Sequence, residues 1–521
     1  MTKPDVNLEI VIGGLDGQVI SVRNDGNNGL TQRPLSRENE LKNRASISNV
    51  VNVLTPQSHS PAPEQPALID GWVRKNQTHS LDEAYSTVSS PDPDANWYKK
   101  AFAFSGLGFI ICVGYIDPGN WSANFSAGAG FGFELLSMIL LCHFTALFLQ
   151  LLALKLGIGA DRDLAQACRD AYPKGIVITL WVIMETTIAA ANIAHLIGSA
   201  SAMASLFGLP LWAGIIITVG DVAFILMFCI KSIRALEILV AILCLLIPIV
   251  YTLLLVFIPP NWTLVAIGLI PNSNYLLNST FVADAIAILG ATVMPHNLFL
   301  HSSVIQSRKY PRTTKGKQMA FNYGGWDWGL SSLLVLWGNL AILIIPAMSL
   351  FYGPTVYPRV AYLPYLSKLI LSALLLSGHH ATVIGTLAGQ IITEGFFEFP
   401  LKPWLRRLLA QTVSIAPAAI VAGVYGSAGA GMLMSISQVI LSLALTFAVV
   451  PLVHFTSSRK KMGSLVNGWP VRIIATVLVL AIMGINTHYL IRCILLQTFI
   501  LPAYAGLGII STSTPSPSPG S

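Results

Sequence analysis

Residues 115–121 read YIDPGNW and close an apolar run that opens at Ala101 as AFAFSGLGFIICVG. An Asp at bilayer depth costs roughly 2.5–3.5 kcal/mol on insertion scales. Pro118 and Gly119 beside it break the helical hydrogen bonding that lipid enforces on a spanning chain. A charge, a helix breaker and an amide together in such a run mark a backbone that unwinds to face something other than lipid.

The rest of the chain agrees that lipid is the solvent. Of 521 residues, 54% are hydrophobic and only 11% charged, where a soluble globular chain carries about 25% charged residues. Runs such as 134–154 and 236–258 exceed the roughly 18–20 apolar residues that span a bilayer. The chain therefore reads as an all-α polytopic membrane protein. About eleven spans are expected. The first surrounds 102–129 and is broken at Asp117, and the next four lie near 133–157, 175–207, 211–230 and 236–258. A sixth, near 281–306, is broken at Pro295; the others fall near 327–351, 362–397, 404–425, 431–455 and 470–494.

Basic residues set the orientation. Lys99 and Lys100 precede span one, Lys155, Arg162, Arg169 and Lys174 lie between two and three, and Lys231 and Arg234 between four and five. Arg308, Lys309, Arg312, Lys315 and Lys317 follow span six, Lys402, Arg406 and Arg407 join eight to nine, and Arg459, Lys460 and Lys461 join ten to eleven. All fall on the side of the N-terminus, which is expected to be cytosolic. The opposite loops, such as 259–280, are almost free of Lys and Arg, and the sequons at Asn261 and Asn278 fall there. The net charge of +7 is thus a topology signal and not a nucleic-acid footprint. The six cysteines form no CxxC pair, which points to neither a disulfide framework nor a zinc site. Residues 1–96, rich in Asn, Ser, Pro and charge, are expected to form a disordered cytosolic tail without a cleavable signal, and 496–521 a low-complexity one.

Span six gives the opening motif a partner. Met294-Pro295-His296-Asn297 repeats the x-Pro-x-Asn pattern of Asp117-Pro118-Gly119-Asn120 five spans later. Five is odd, so the second half enters the membrane inverted. Interrupted helices at matching positions of two inverted halves point to a transporter's midplane site. The breaks bring together Asp117, Asn120, Met294, freed carbonyls near Gly114 and Ala291, and His296 as a further candidate. Carboxylate and amide oxygens attract a hard dication, while a thioether suits manganese, iron, cobalt or cadmium better than calcium or magnesium. A single membrane methionine is ordinarily packing and a single histidine ordinarily hydrogen-bonded filler. The joint, symmetry-related placement is what raises Met294 above that.

YIDPGN in the first helix and MPHNLFLHS in the sixth resemble the signatures of the NRAMP family of proton-coupled divalent metal transporters. The likeness continues in 385–396, 404–418 and 437–452 and covers roughly 97–495. It implies a LeuT-like fold of two inverted five-helix repeats plus one further helix. It also implies Mn2+ and Fe2+, with Co2+ and Cd2+ beside them, as cargo moving toward the cytosol with protons, and no resident cofactor. The family's ligands fall on Asp117, Asn120 and Met294 with the carbonyls of Gly114 and Ala291, and Gln438 matches a glutamine that approaches the metal. His296 and His301 match histidines tied to proton movement, and Arg406 and Arg407 an arginine pair. The third helix departs from the family's acidic trio: it keeps Glu185 but has Asn192 and His195 at the other two places. The eighth reads SGHHATVIGT, adding His379 and His380.

The rival readings are weaker. No HExxH supports an intramembrane enzyme and no Walker A motif a pump. An NRAMP-like metal-sensing receptor would add an output domain. A carrier of harder ions, Mg2+ or Al3+, is the nearer alternative, against which Met294 stands. The plasma membrane or an endosomal or vacuolar membrane is the expected location.

Overall fold

A backbone in lipid has no water to bond, so each span must satisfy its own peptide groups, and a break must be held by something else. A computed structural model describes residues 9–13, 19–24, 30–34, 79–81, 84–224, 233–275, 278–359, 363–397, 420, 431 and 433–495. Contacts divide the chain into two units, 1–68 and 69–521. In the first, strands Glu9–Gly13, Val19–Asn24 and Leu30–Pro34 form an antiparallel sheet in chain order, with Glu9 opposite Arg23 and Ile20 opposite Pro34.

The second unit is helical. Among the described residues eight helices are long and apolar enough to cross a membrane, and nine if the bent first pair counts as one span. Span one runs Trp97–Tyr115 and Pro118–Phe131, bent by 50° at the break. Spans two and three are Leu136–Gly159 and Lys174–Phe207, and span five is Ile233–Phe257. Span six is Ser279–Ser307, seven Thr314–Tyr352, ten Leu433–Thr456 and eleven Trp469–Leu495. Span eight is Leu363–Phe396. The fourth expected span is described as Leu211–Phe224. The ninth, near 404–425, lies outside the described residues apart from position 420.

Of these eight, span six is the most enclosed, with 78% of its apolar window buried, whereas 17% of span eleven's is. The centre of the bundle is therefore the broken pair, and span eleven lies at its edge. The second half of span one packs on the first half of span six, and the halves on the other side of the breaks pack on each other.

Proline explains where the second half-helices start. Pro118 and Pro295 each occupy the first turn, where a missing N–H costs nothing and the fixed φ suits the helix. Ahead of them the chain is extended at Asp117 (φ −69°, ψ 166°) and Met294 (φ −68°, ψ 123°), which are the two cap residues.

The N-terminal segment differs from the expectation of a structureless tail through residue 96. Val88–Ser89 pairs in parallel with Arg308–Lys309, and the Ser86 N–H donates to the Gln306 carbonyl at 3.0 Å. Ser80 Oγ donates to the buried Asp163 carboxylate, and Asp94 pairs with Lys315. From residue 79 the chain is thus fastened to the end of the bundle where spans six and seven join. Burial raises the Asp163 carboxyl above the usual carboxylate range.

Candidate metal centre

The breaks place four expected residues in one cluster. Asp117 is fully buried and caps helix Pro118–Phe131: its Oδ1 accepts the Asn120 N–H at 2.8 Å and its Oδ2 the Gly119 N–H at 3.2 Å. The helix N-terminus adds its partial positive charge beside the carboxyl group. Asn120 Nδ2 donates to the Gly114 carbonyl at 3.3 Å, to Asp117 Oδ1 at 3.1 Å and to the Ala291 carbonyl at 2.7 Å. Three oxygens from both breaks therefore converge on one point, now held by the partly positive amide group. Thr292 Oγ1 lies 3.3 Å from Asn120 Oδ1. A hydroxyl both donates and accepts, so Thr292 suits either orientation of that amide.

Met294 is fully buried at the second break, and its Sδ receives the Asn297 Nδ2 at 3.9 Å. It packs with Ala190 and Ala191 of span three and Leu441 of span ten. Gln438 is also fully buried, and its Oε1 has no hydrogen-bond partner among the described residues. Its side chain covers Gly119, where an added Cβ would lie 2.2 Å from Nε2. Gly290 meets the Gln438 backbone carbonyl just as closely. Glycine at both positions is what lets span ten approach both breaks.

The proton-pathway residues separate. His195 meets the centre directly: its Nε2 lies 2.9 Å from Asp117 Oδ2, giving that carboxylate four donors in all. Its Nδ1 and both amide atoms of Asn192 are buried without partners among the described residues. His301 Nδ1 donates to Gln150 Oε1 at 3.0 Å, and Gln150 Nε2 donates to the Tyr115 hydroxyl at 3.0 Å, tying span six to the unwound turn of span one. His296 is buried beside Pro295 with Nδ1 unpartnered among the described residues. Glu185 is not brought in. It accepts from Trp181 Nε1 at 3.0 Å and from Thr393 Oγ1, and ten residues of helix put it about 15 Å along the axis from His195. Arg406 and Arg407 lie outside the described residues.

Sequence reasoning missed several supports. Asn297 fills the space over Gly114, where a Cβ would lie 2.2 Å from its Nδ2. Ser377 of span eight donates to the Ile116 carbonyl, one of the groups freed by unwinding. The repeated Pro-x-Asn was a signal for Asn297; Ser377 had none, because helical spacing does not say which neighbour a face meets. Among the described residues no group of three or more His, Cys, Asp or Glu is placed to hold a metal. The donors here are mainly carbonyl, amide and thioether, with a single carboxylate.

Known proteins share this architecture. A family model described as "Natural resistance-associated macrophage protein-like" matches residues 108–492. The "Divalent metal cation transporter MntH" of Listeria monocytogenes is 40% identical over 435 residues, spanning 80% of this chain and 96% of that protein. The protein of the same name from Xanthomonas campestris is 42% identical over 423 residues, 79% and 95% of the two chains. Among solved structures, the Eremococcus coleocola manganese transporter superposes with a TM-score of 0.74 at 33% identity, covering 83% of this chain and 94% of that one. Mhp1, a nucleobase-cation-symport-1 family transporter, matches at TM-score 0.51 and 13% identity over 78% and 94% of the chains, which is a likeness of fold alone. The fold is the LeuT-like one, and the chain belongs to the natural resistance-associated macrophage protein-like (Nramp) family.

Proposed function

We propose that the chain is a secondary transporter of divalent transition-metal ions, Mn2+ and Fe2+ with Co2+ and Cd2+ beside them, moving them toward the side that holds the N-terminus. The observation that carries this is the convergence of the Gly114, Ala291 and Asp117 oxygens on the Asn120 amide. Turning that amide brings Oδ1 into the same cluster, and Thr292 then accepts where it donated. A dication met there has oxygen donors of both repeats, with the Met294 thioether at the second break. The names of the relatives support the reading. The buried thioether favours transition metals over Mg2+ or Al3+.

Protons belong to the same proposal. His195 stands against Asp117 where the family pattern has an acid, and Asn192, an amide, has no proton to give or take near neutral pH. His296 and His301 complete the set, and coupling between metal and proton is loose. Manganese uptake into proteoliposomes with a pH-sensitive dye inside tests all of it. Asp117→Ala should abolish uptake while insertion is kept; near-normal uptake would place the metal elsewhere, and a fixed proton-to-metal ratio would overturn loose coupling.

A further inference from the structure

We infer that His379 and Asp221 form a proton-binding site of their own between spans eight and four, apart from the metal centre. His379 Nδ1 faces the Leu375 carbonyl at 2.7 Å, and its Nε2 is in hydrogen-bond contact with Asp221 Oδ2. Both partners are acceptors. A neutral imidazole carries one N–H, so one contact would set a lone pair against a lone pair. Both are satisfied only when the pair holds one proton more, on the ring or on the carboxyl.

The surroundings call for the same proton. The Asp221 side chain is 34% exposed on a segment read as spanning lipid, where a bare carboxylate is costly. Its Oδ1 has no partner among the described residues, so the compensation it receives comes from His379. Among the described residues Asp221 of span four meets the ring, and His380 follows it on span eight. Span three presents Ser199 Oγ and the His195 carbonyl to neighbouring Gly378. Protonated, the pair ties span four to span eight; losing the proton costs one of its two hydrogen bonds. Span eight packs along span three, which carries His195 to Asp117. The site touches none of the proposed ligands.

Its test needs no metal and no transport, so it stands or falls apart from the transport reading. Full-length protein with 15N-labelled histidine, in metal-free lipid nanodiscs, is followed by nitrogen NMR and infrared spectroscopy from pH 5 to 8. The resonance removed by His379→Gln should belong to a ring protonated on both nitrogens at neutral pH, or Asp221→Asn should remove a protonated-carboxyl band. Asp221→Asn should also turn the doubly protonated ring into a singly protonated one, which keeps the test alive if His379→Gln does not fold. Asp117→Ala should leave the His379 resonance unchanged. A singly protonated ring with no Asp221-dependent carboxyl band across the range overturns the site, and a His379 resonance that shifts in Asp117→Ala overturns its separateness.

Discussion

Replacing Gly290 with alanine should disable the centre without touching a proposed ligand. A Cβ there would lie 1.9 Å from the Gln438 carbonyl oxygen and 2.7 Å from the Ser442 nitrogen, both of them backbone. Real Cβ atoms essentially never come within 3.0 Å of another heavy atom, so spans six and ten must part by at least roughly an ångström, and no rotamer change relieves the clash. Overpacking of this kind costs about 1–3 kcal/mol of stability. The larger effect is on function. Ala291, the next residue, supplies the 2.7 Å contact to Asn120, and Gln438 closes over Gly119. A misplacement of about an ångström costs on the order of a hundredfold where geometry must be held. Manganese uptake by proteoliposomes should fall by about that factor, with a modest drop in melting temperature. Gly484→Ala on span eleven, where an added Cβ meets nothing within 4 Å, is the control and should behave as wild type. Wild-type uptake by Gly290→Ala would refute the idea that span ten must seat against the break.

Asn120→Ala deletes the amide at which the three oxygens meet and should raise the half-saturating manganese concentration about ten- to hundredfold, as loss of one buried polar interaction implies; an unchanged value would remove Asn120 from the ligands. Met294→Ala should cost cadmium more affinity than manganese and let calcium compete better, and unchanged calcium competition would contradict the role of the thioether. His195→Ala leaves Asp117 Oδ2 one donor short, which should lower stability by about 1–3 kcal/mol with partial rescue by His195→Gln; equal melting of all three proteins would speak against the contact. Glu237→Gln weakens the bidentate partner of the fully buried Arg308, and a loss of about 3–5 kcal/mol is expected in thermal or denaturant unfolding, whereas no loss would refute that pairing.

The breaks were legible because proline and an intramembrane carboxylate are chemically expensive, and they occur twice at matching places. Asp117, Asn120 and the Gly114 and Ala291 carbonyls follow from that pattern almost directly. What the one-dimensional pattern lacks is the choice of neighbour. Glu185 and His195 lie on one helix, yet only His195 reaches Asp117, because span three passes the first break at that level alone. The glycines that admit Gln438 and Asn297 look like any other membrane glycines until the opposing atom is seen. Residues 79–96 look structureless by composition because their order comes from pairing with 306–309 and an ion pair to Lys315. Neither partner can be read from the segment itself.

X-ray absorption at the manganese edge of metal-loaded, full-length protein tests the proposed centre most directly, because it counts the atoms around the ion. The account predicts a shell of oxygens with one sulfur, a sulfur contribution lost in Met294→Ala, and no ordered shell in Asp117→Ala. An all-nitrogen-and-oxygen shell in wild type, or a shell that survives Asp117→Ala unchanged, would contradict it.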